Sequence, residues 1–210
     1  LDATVRGIGD PLAWSLDNRH IFYTRLDESW RSHEIWRHEV GTAVEADELV
    51  IENGGARCWV SVGVTADARW IVMNATSKTA AQVWLIDAAD PRQAPRSVLP
   101  RRDEVIYDVD PLADGLLVLH NAGRANFQVD WLPCAGAPVE DLVDLGWTTP
   151  DEFVTGMDAF ATFVVLSLRV DGLTALRFVP VTGEGPGGFG MPHDLTFPGE
   201  TGTLTLGSTP

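Results

Sequence analysis

Leu16-Asp17-Asn18-Arg19-His20-Ile21-Phe22-Tyr23-Thr24 has a counterpart further along the chain, Thr65-Ala66-Asp67-Ala68-Arg69-Trp70-Ile71-Val72-Met73-Asn74. Each copy is a turn built on an aspartate, followed by about six residues rich in β-branched and aromatic side chains, the length and composition of a strand. A third copy runs from Leu112-Ala113-Asp114 into Gly115-Leu116-Leu117-Val118-Leu119-His120. A fourth, Ala161-Thr162-Phe163-Val164-Val165-Leu166, keeps the strand and has lost the aspartate turn. A period of about 45–50 residues is the mark of a repeat architecture.

Other strand-sized runs recur around these in a constant order. Ahead of each copy lies a first strand: Pro11-Leu12-Ala13-Trp14-Ser15, Cys58-Trp59-Val60-Ser61-Val62, Val105-Ile106-Tyr107-Asp108-Val109 and Phe153-Val154-Thr155-Gly156-Met157. Behind each lies a third: Glu34-Ile35-Trp36-Arg37-His38, Gln82-Val83-Trp84-Leu85-Ile86-Asp87, Phe127-Gln128-Val129-Asp130-Trp131 and Leu173-Thr174-Ala175-Leu176-Arg177-Phe178. Fourth strands are Glu48-Leu49-Val50-Ile51, Arg96-Ser97-Val98-Leu99, Glu140-Asp141-Leu142-Val143 and, less clearly, His193-Asp194-Leu195-Thr196-Phe197. A four-stranded meander at this period predicts an all-β chain, a run of about four antiparallel β-propeller blades. The approximate blades are 8–53, 57–100, 104–146 and 152–200, with a further blade starting in 201–210, where Thr203-Leu204-Thr205-Leu206 resembles another strand. Two tandem sandwiches would repeat at twice the period, and a closed barrel needs no repeat. One blade cannot bury both of its faces alone, so neighbouring blades must cover them. Trp36 and Trp84 are therefore expected at equivalent positions as apolar plugs between blades.

Composition agrees with a globular chain. Hydrophobic residues make up 45% and charged residues 21% of its 210 residues. No apolar run approaches the roughly 18 residues of a membrane helix, and 163–168 is strand-sized. Residues Leu1-Asp2-Ala3-Thr4-Val5 carry no signal-peptide pattern, and the chain is expected to begin inside a longer protein. The net charge of -15, with Lys78 the single lysine, repels phosphate backbones and argues against nucleic acid. It suits solubility, and it would attract cationic peptides to a cleft. Cys58 and Cys134 lie in or beside apolar runs and are expected as two buried thiols in a reducing compartment.

Several stretches are similar to one family in order along the chain. They include Ile21-Phe22-Tyr23-Thr24-Arg25-Leu26-Asp27, Ile35-Trp36-Arg37-His38-Glu39-Val40-Gly41-Thr42 and Asp47-Glu48-Leu49-Val50. Further on come Leu99-Pro100-Arg101-Arg102-Asp103-Glu104, Tyr107-Asp108-Val109-Asp110, Asn121-Ala122-Gly123-Arg124-Ala125-Asn126-Phe127 and Arg169-Val170-Asp171-Gly172-Leu173-Thr174-Ala175-Leu176. From about residue 8 to the end this resembles the propeller of oligopeptidase B, in the prolyl oligopeptidase group of serine peptidases. The resemblance implies a cytosolic enzyme that cleaves short peptides after Arg and Lys. It implies a seven-bladed propeller gating an α/β-hydrolase domain that carries the Ser-Asp-His triad and lies outside this span. No functional residue carries over. The sequence departs from the family at 182–192, which is glycine-rich and precedes a shortened strand pair.

The residues themselves offer little chemistry. Gly-x-Ser-x-Gly is absent and none of the eight serines sits at a nucleophile elbow. Gly183-Glu184-Gly185-Pro186-Gly187-Gly188 matches a dinucleotide fingerprint in letters only, since Phe189-Gly190-Met191-Pro192 cannot open a helix. His33 and His38 are five apart, which puts them on opposite strand faces. His120 has no Cys or carboxylate at ligand spacing. Asp108 and Asp110 share a strand face and point either to solvent or into a central channel. Arg101-Arg102-Asp103-Glu104 reads as a solvated loop or as a docking contact for a catalytic domain. No catalytic, cofactor-binding or metal-binding residue is assigned and no cofactor is expected. The expected partners are the hydrolase domain and short basic peptides, with no nucleic acid or membrane. Self-association through exposed blade faces is a further expectation. The alternative is a free-standing propeller that serves as a protein-interaction scaffold.

Overall fold

The structure, a computed structural model, describes residues 4–52, 58–112 and 114–195. The described residues form four antiparallel sheets of four strands each, in chain order. Sheet 1 contains β1 (Ile8–Trp14), β2 (His20–Leu26), β3 (Ser32–Glu39) and β4 (Glu48–Glu52). Sheet 2 contains β5 (Trp59–Val64), β6 (Trp70–Thr76), β7 (Ala81–Asp87) and β8 (Arg96–Ser97). Sheet 3 contains β9 (Tyr107–Leu112), β10 (Gly115–His120), β11 (Gln128–Leu132) and β12 (Val143–Asp144). Sheet 4 contains β13 (Phe153–Ala159), β14 (Phe163–Val170), β15 (Leu173–Pro180) and β16 (His193–Leu195). The chain divides into two compact units, Leu1–Tyr107 with Ala135–Ala137, and Asp108–Cys134 with Pro138–Pro210.

The first two aspartate turns of the sequence repeat are the same turn in space. Asp17 Oδ1 accepts the Arg19 N–H at 2.8 Å, and Asp67 Oδ1 accepts the Arg69 N–H at 3.0 Å. The Ser15 hydroxyl oxygen accepts the His20 N–H at 3.0 Å, and Thr65 Oγ1 accepts the Trp70 N–H at the same distance. Such Asx turns let the side chain replace a backbone partner. They tolerate a left-handed residue, here Asn18 (φ 54°) and Ala68 (φ 58°).

In the first unit, Ala13, Phe22, Ile35 and Ile51 of sheet 1 pack against Val60, Val62, Ile71, Met73 and Ile86 of sheet 2. Trp84 stands opposite Met73 in the register and joins this core. Trp36 stands opposite Tyr23 at the equivalent place in sheet 1. Strand alternation, however, puts it on the face opposite Ile35, away from that core. Its ring lies 3.8 Å beneath the Arg25 guanidinium and its indole N–H donates to Glu34 at 2.7 Å. The two tryptophans are thus equivalent in register, but one is an inter-sheet plug and the other is capped by a cation.

In the second unit, β10 is buried along its whole length. Leu117, Leu119, Val129 and Trp131 pack against Val154, Val164, Leu166, Leu168 and Val179 of sheet 4. Trp147 and Phe189 close this core, their rings meeting edge to face at 4.8 Å.

Three readings need correction. Cys134 is exposed, in the turn after β11, and only Cys58 is buried; the two do not form a disulfide. The fourth strand of sheet 3 is Val143–Asp144 rather than 140–143, because Val139–Asp141 forms a 3-10 turn directly after Pro138. The first strand of sheet 1 begins at Ile8 rather than Pro11, with an irregularity in its pairing between Gly9 and Ala13 that absorbs the proline. Thr196, Phe197 and the strand-like 203–206 lie outside the described residues.

Candidate functional site

The first strand of each sheet, β1, β5, β9 and β13, is an edge strand. One side of its backbone is therefore unpaired within the sheet. In the second unit β9 carries Asp108 and Asp110 on one face, as alternation requires. β13 contributes Asp158, which sequence reading missed because the first strand was ended at Met157. Asp110 Oδ2 accepts the Ala159 N–H at 2.6 Å and so ties the two edge strands together.

Asp108 reaches water, yet it is densely surrounded by protein. This crowding raises its pKa, and the negative charge of Asp158 raises it further, against the opposing hydrogen bond from the Val109 N–H. Crowding also raises the pKa of Asp158. Two carboxylates in such a position favour an arriving cation, which relieves their repulsion. Among the described residues no group of three or more His, Cys, Asp and Glu side chains is placed to hold a metal ion.

Four of the five histidines stand close to a carboxylate, whereas His193 is exposed on β16. His38 Nδ1 lies 2.6 Å from Asp47, whose carboxylate also accepts the Tyr23 hydroxyl at 2.7 Å. Burial pushes the Tyr23 phenol up to about 12, with the Asp47 bond adding to it. His33 stays with its neighbour Glu34 at 3.4 Å. His120 Nε2 stands 2.9 Å from Asp130 Oδ2, both nearly buried, an ion-pair distance without hydrogen-bond alignment. The sequence offers His120 no carboxylate at ligand spacing, and the one it meets stands ten residues on, across a hairpin. The β10–β11 pairing sets Val118 opposite Asp130 and carries that carboxylate across the hairpin.

Ser15, Asp17 and His20 come together without forming a catalytic triad. The Ser15 hydroxyl donates to Asp17 rather than to the imidazole. His20 Nε2 instead accepts from Arg92 Nε at 3.3 Å, while Nδ1 faces Asp17 at 3.2 Å. A general base must reach the nucleophile's proton, and this one does not. Beside it lies a cleft of about 300 Å³, lined by His20, Arg37, Glu39, Glu48 and Arg92 among others. Its charges neutralise one another: Arg92 with Glu39 at 2.5 Å, and Arg37 with Glu48. Arg37 also donates to the Pro91 carbonyl at 2.5 Å, so the cluster joins sheet 1 to the loop of sheet 2.

The glycine-rich segment closes on itself. The Thr182 and Gly183 N–H groups both donate to the Gly188 carbonyl, at 2.8 and 3.0 Å, and leave no phosphate cradle. Arg101, Arg102, Asp103 and Glu104 are exposed as a group. Arg101 nevertheless holds Cys58 Sγ at 3.4 Å through both terminal nitrogens.

Four-stranded antiparallel meanders packed face to face, with edge first strands and no assembled catalytic constellation among the described residues, define a propeller-type domain. Residues 1–197 match the family model described as prolyl oligopeptidase, N-terminal beta-propeller domain, and the chain belongs to that family. It is 30% identical over 168 residues to Protease 2 of Moraxella lacunata, covering 80% of this chain and 24% of that protein. It is 30% identical over 186 residues to dipeptidyl aminopeptidase BI of Pseudoxanthomonas mexicana, covering 88% of this chain and 26% of that protein. Oligopeptidase B from Trypanosoma brucei, solved in a closed form with covalently bound antipain, superposes with a TM-score of 0.83 at 26% identity. That match covers 92% of this chain and 28% of that structure. The chain thus spans about a quarter of the length of these relatives.

Proposed function

We propose that this chain is the non-catalytic, substrate-gating propeller part of a cytosolic serine oligopeptidase that cleaves short peptides after Arg or Lys. Its catalytic partner is an α/β-hydrolase domain of the same protein. The observation that carries this reading is the acidic row Asp108, Asp110 and Asp158 on edge first strands, in a chain similar over most of its length to oligopeptidase B. Propeller blades surround a central channel. Carboxylates on first strands present negative charge to a peptide passing it, and a guanidinium or ammonium is the complementary group. The channel filters by width, and the acidic row favours cationic peptides among those that fit.

The test uses the full-length protein that contains this chain and a fluorogenic peptide ending in arginine at the cleaved bond. Asp108→Asn with Asp158→Asn is expected to lower kcat/KM for the cationic peptide about threefold to tenfold, chiefly through KM, and to leave a neutral peptide unaffected. The same substitutions remove a crowded like-charge pair, so the thermal midpoint holds or rises. The 210-residue chain alone is expected to be silent on this peptide and to restore activity when mixed with the hydrolase half. Serine-inhibitor-sensitive turnover by the chain alone would end the proposal.

A further inference from the structure

Trp30 occupies the tip of the β2–β3 hairpin with 84% of its surface exposed. It also adopts the left-handed backbone conformation (φ 61°), which is costly for a bulky L-residue. Glycine or asparagine would serve the turn better, so folding alone does not account for a tryptophan here.

The tip is well ordered by its own bonds. Asp27 Oδ1 accepts the Ser29 and Arg31 N–H groups at 2.8 and 3.0 Å. The Trp30 N–H donates to the Asp27 carbonyl, and the Asp27 N–H to the Arg31 carbonyl, both at 2.9 Å. The Arg31 guanidinium pairs with Asp27 Oδ2 at 2.7 Å. The ring is therefore presented on a stiff base, with little ordering left to lose when something binds it.

The chain contains its own comparison. Phe127 is the other aromatic with positive φ (64°) among the described residues, and it too lies in the loop between the second and third strands of its sheet. Phe127 puts its ring to use, meeting Phe153 edge to face at 6.0 Å and packing on the core of the second unit. Trp30 makes no ring contact among the described residues.

We propose that Trp30 is the anchor of a docking surface for a polypeptide segment carrying exposed arginine or lysine. The surroundings select that chemistry. Glu28, exposed and two residues before Trp30, puts a carboxylate into the same turn, while the Asp27 charge is already matched by Arg31. A cation over an indole already occurs twice in the first unit, Arg25 on Trp36 at 3.8 Å and Arg69 on Trp70 at 5.2 Å. An exposed indole beside the Glu28 carboxylate offers a guanidinium a ring face and a counter-charge together. The net charge of -15 adds long-range attraction. This surface uses neither Asp108 nor Asp158 and stands apart from the gating proposal.

The experiment measures binding of a fluorescein-labelled (Gly-Arg)4 peptide to the full chain by anisotropy at low salt, with (Gly-Ser)4 and (Gly-Glu)4 of the same length beside it. Wild type is expected to bind the arginine peptide and neither of the others. Trp30→Ala weakens it about threefold to fivefold, Trp30→Phe less than Ala, and Glu28→Gln about twofold. Trp30→Asn, suited to the left-handed turn, is expected to keep or raise the thermal midpoint while weakening binding as much as Trp30→Ala, which separates docking from folding. Affinity unchanged by Trp30→Ala and Trp30→Asn would overturn the proposal. So would absence of binding by wild type, or equal binding of (Gly-Ser)4.

Discussion

At the scale of single residues, two positions show how closely the packing constrains the chain. Gly115 opens β10 beneath the Trp131 ring, and a Cβ there would stand 2.6 Å from Cη2 of that ring. Neither the buried ring nor the strand has room to give way. Gly115→Ala is expected to destabilise the chain by about 1–3 kcal/mol, read as a drop in the denaturant midpoint. The second position is Glu152, which Arg177 grips with two bonds of 2.9 and 2.7 Å. Arg177 also bonds Asp194 and the Trp147 carbonyl, which fixes its fork in place. The Arg177 hydrogen bond is the largest cause that takes Glu152 from an ordinary 4.5 down to about 2, against the opposing effect of burial. A carboxylate with a depressed folded pKa stabilises the fold fully above its unfolded value. That stabilisation is lost as pH falls from about 4.5 to about 2. Glu152→Gln is expected to lower the thermal midpoint at pH 7 and to flatten its decline across that acid window, as a melting series from pH 7 to pH 2 would reveal.

At the scale of elements, the repeat makes a pair of side chains comparable that chemistry alone would treat alike. Trp84 and Trp36 hold the same register position in β7 and β3, opposite Met73 and Tyr23. Trp84 packs into the core between sheets 1 and 2, whereas Trp36 is half-buried under Arg25. Trp84→Ala should therefore cost about 3 kcal/mol, the low end for a large aromatic in a core. Trp36→Ala should cost about 1 kcal/mol, the value of one cation–π contact and partial burial. Urea titrations of the two variants would check this, and equal losses would contradict the assignment of faces. The strands and their order were legible from alternation and turn residues, because those signals are local. The partners of Trp36 were not, since the sequence does not say which sheet face meets another sheet. His120 is a similar case: Asp130 reaches it only through the hairpin register, which brings residues ten apart in sequence to ion-pair distance.

At the scale of the whole molecule, the excess of 30 acidic over 15 basic side chains produces a field that acts before any contact forms. If cationic peptides are the substrates, their association with the full-length protein should slow as salt rises, because exposed charges are screened beyond about 8 Å at physiological ionic strength. Stopped-flow association of an arginine peptide at increasing ionic strength is expected to show a rate falling severalfold, with a neutral peptide unchanged. A flat dependence for both would remove steering and leave width as the sole filter.

The sequence by itself determined the all-β class, the four-stranded repeat and its resemblance to the oligopeptidase B propeller. Each of these rests on local periodicity, turn chemistry or the order of short segments. Only the tertiary structure decided that Asp158 joins Asp108 and Asp110, that Cys134 is exposed, and that Ser15, Asp17 and His20 meet in a non-catalytic arrangement. The tertiary structure also decided that Trp30 stands unpacked while Phe127 is packed. The physical reason is common to all of them. Strand formation depends on neighbours along the chain, whereas burial and side-chain partnership depend on which strands and faces come together across long separations in sequence.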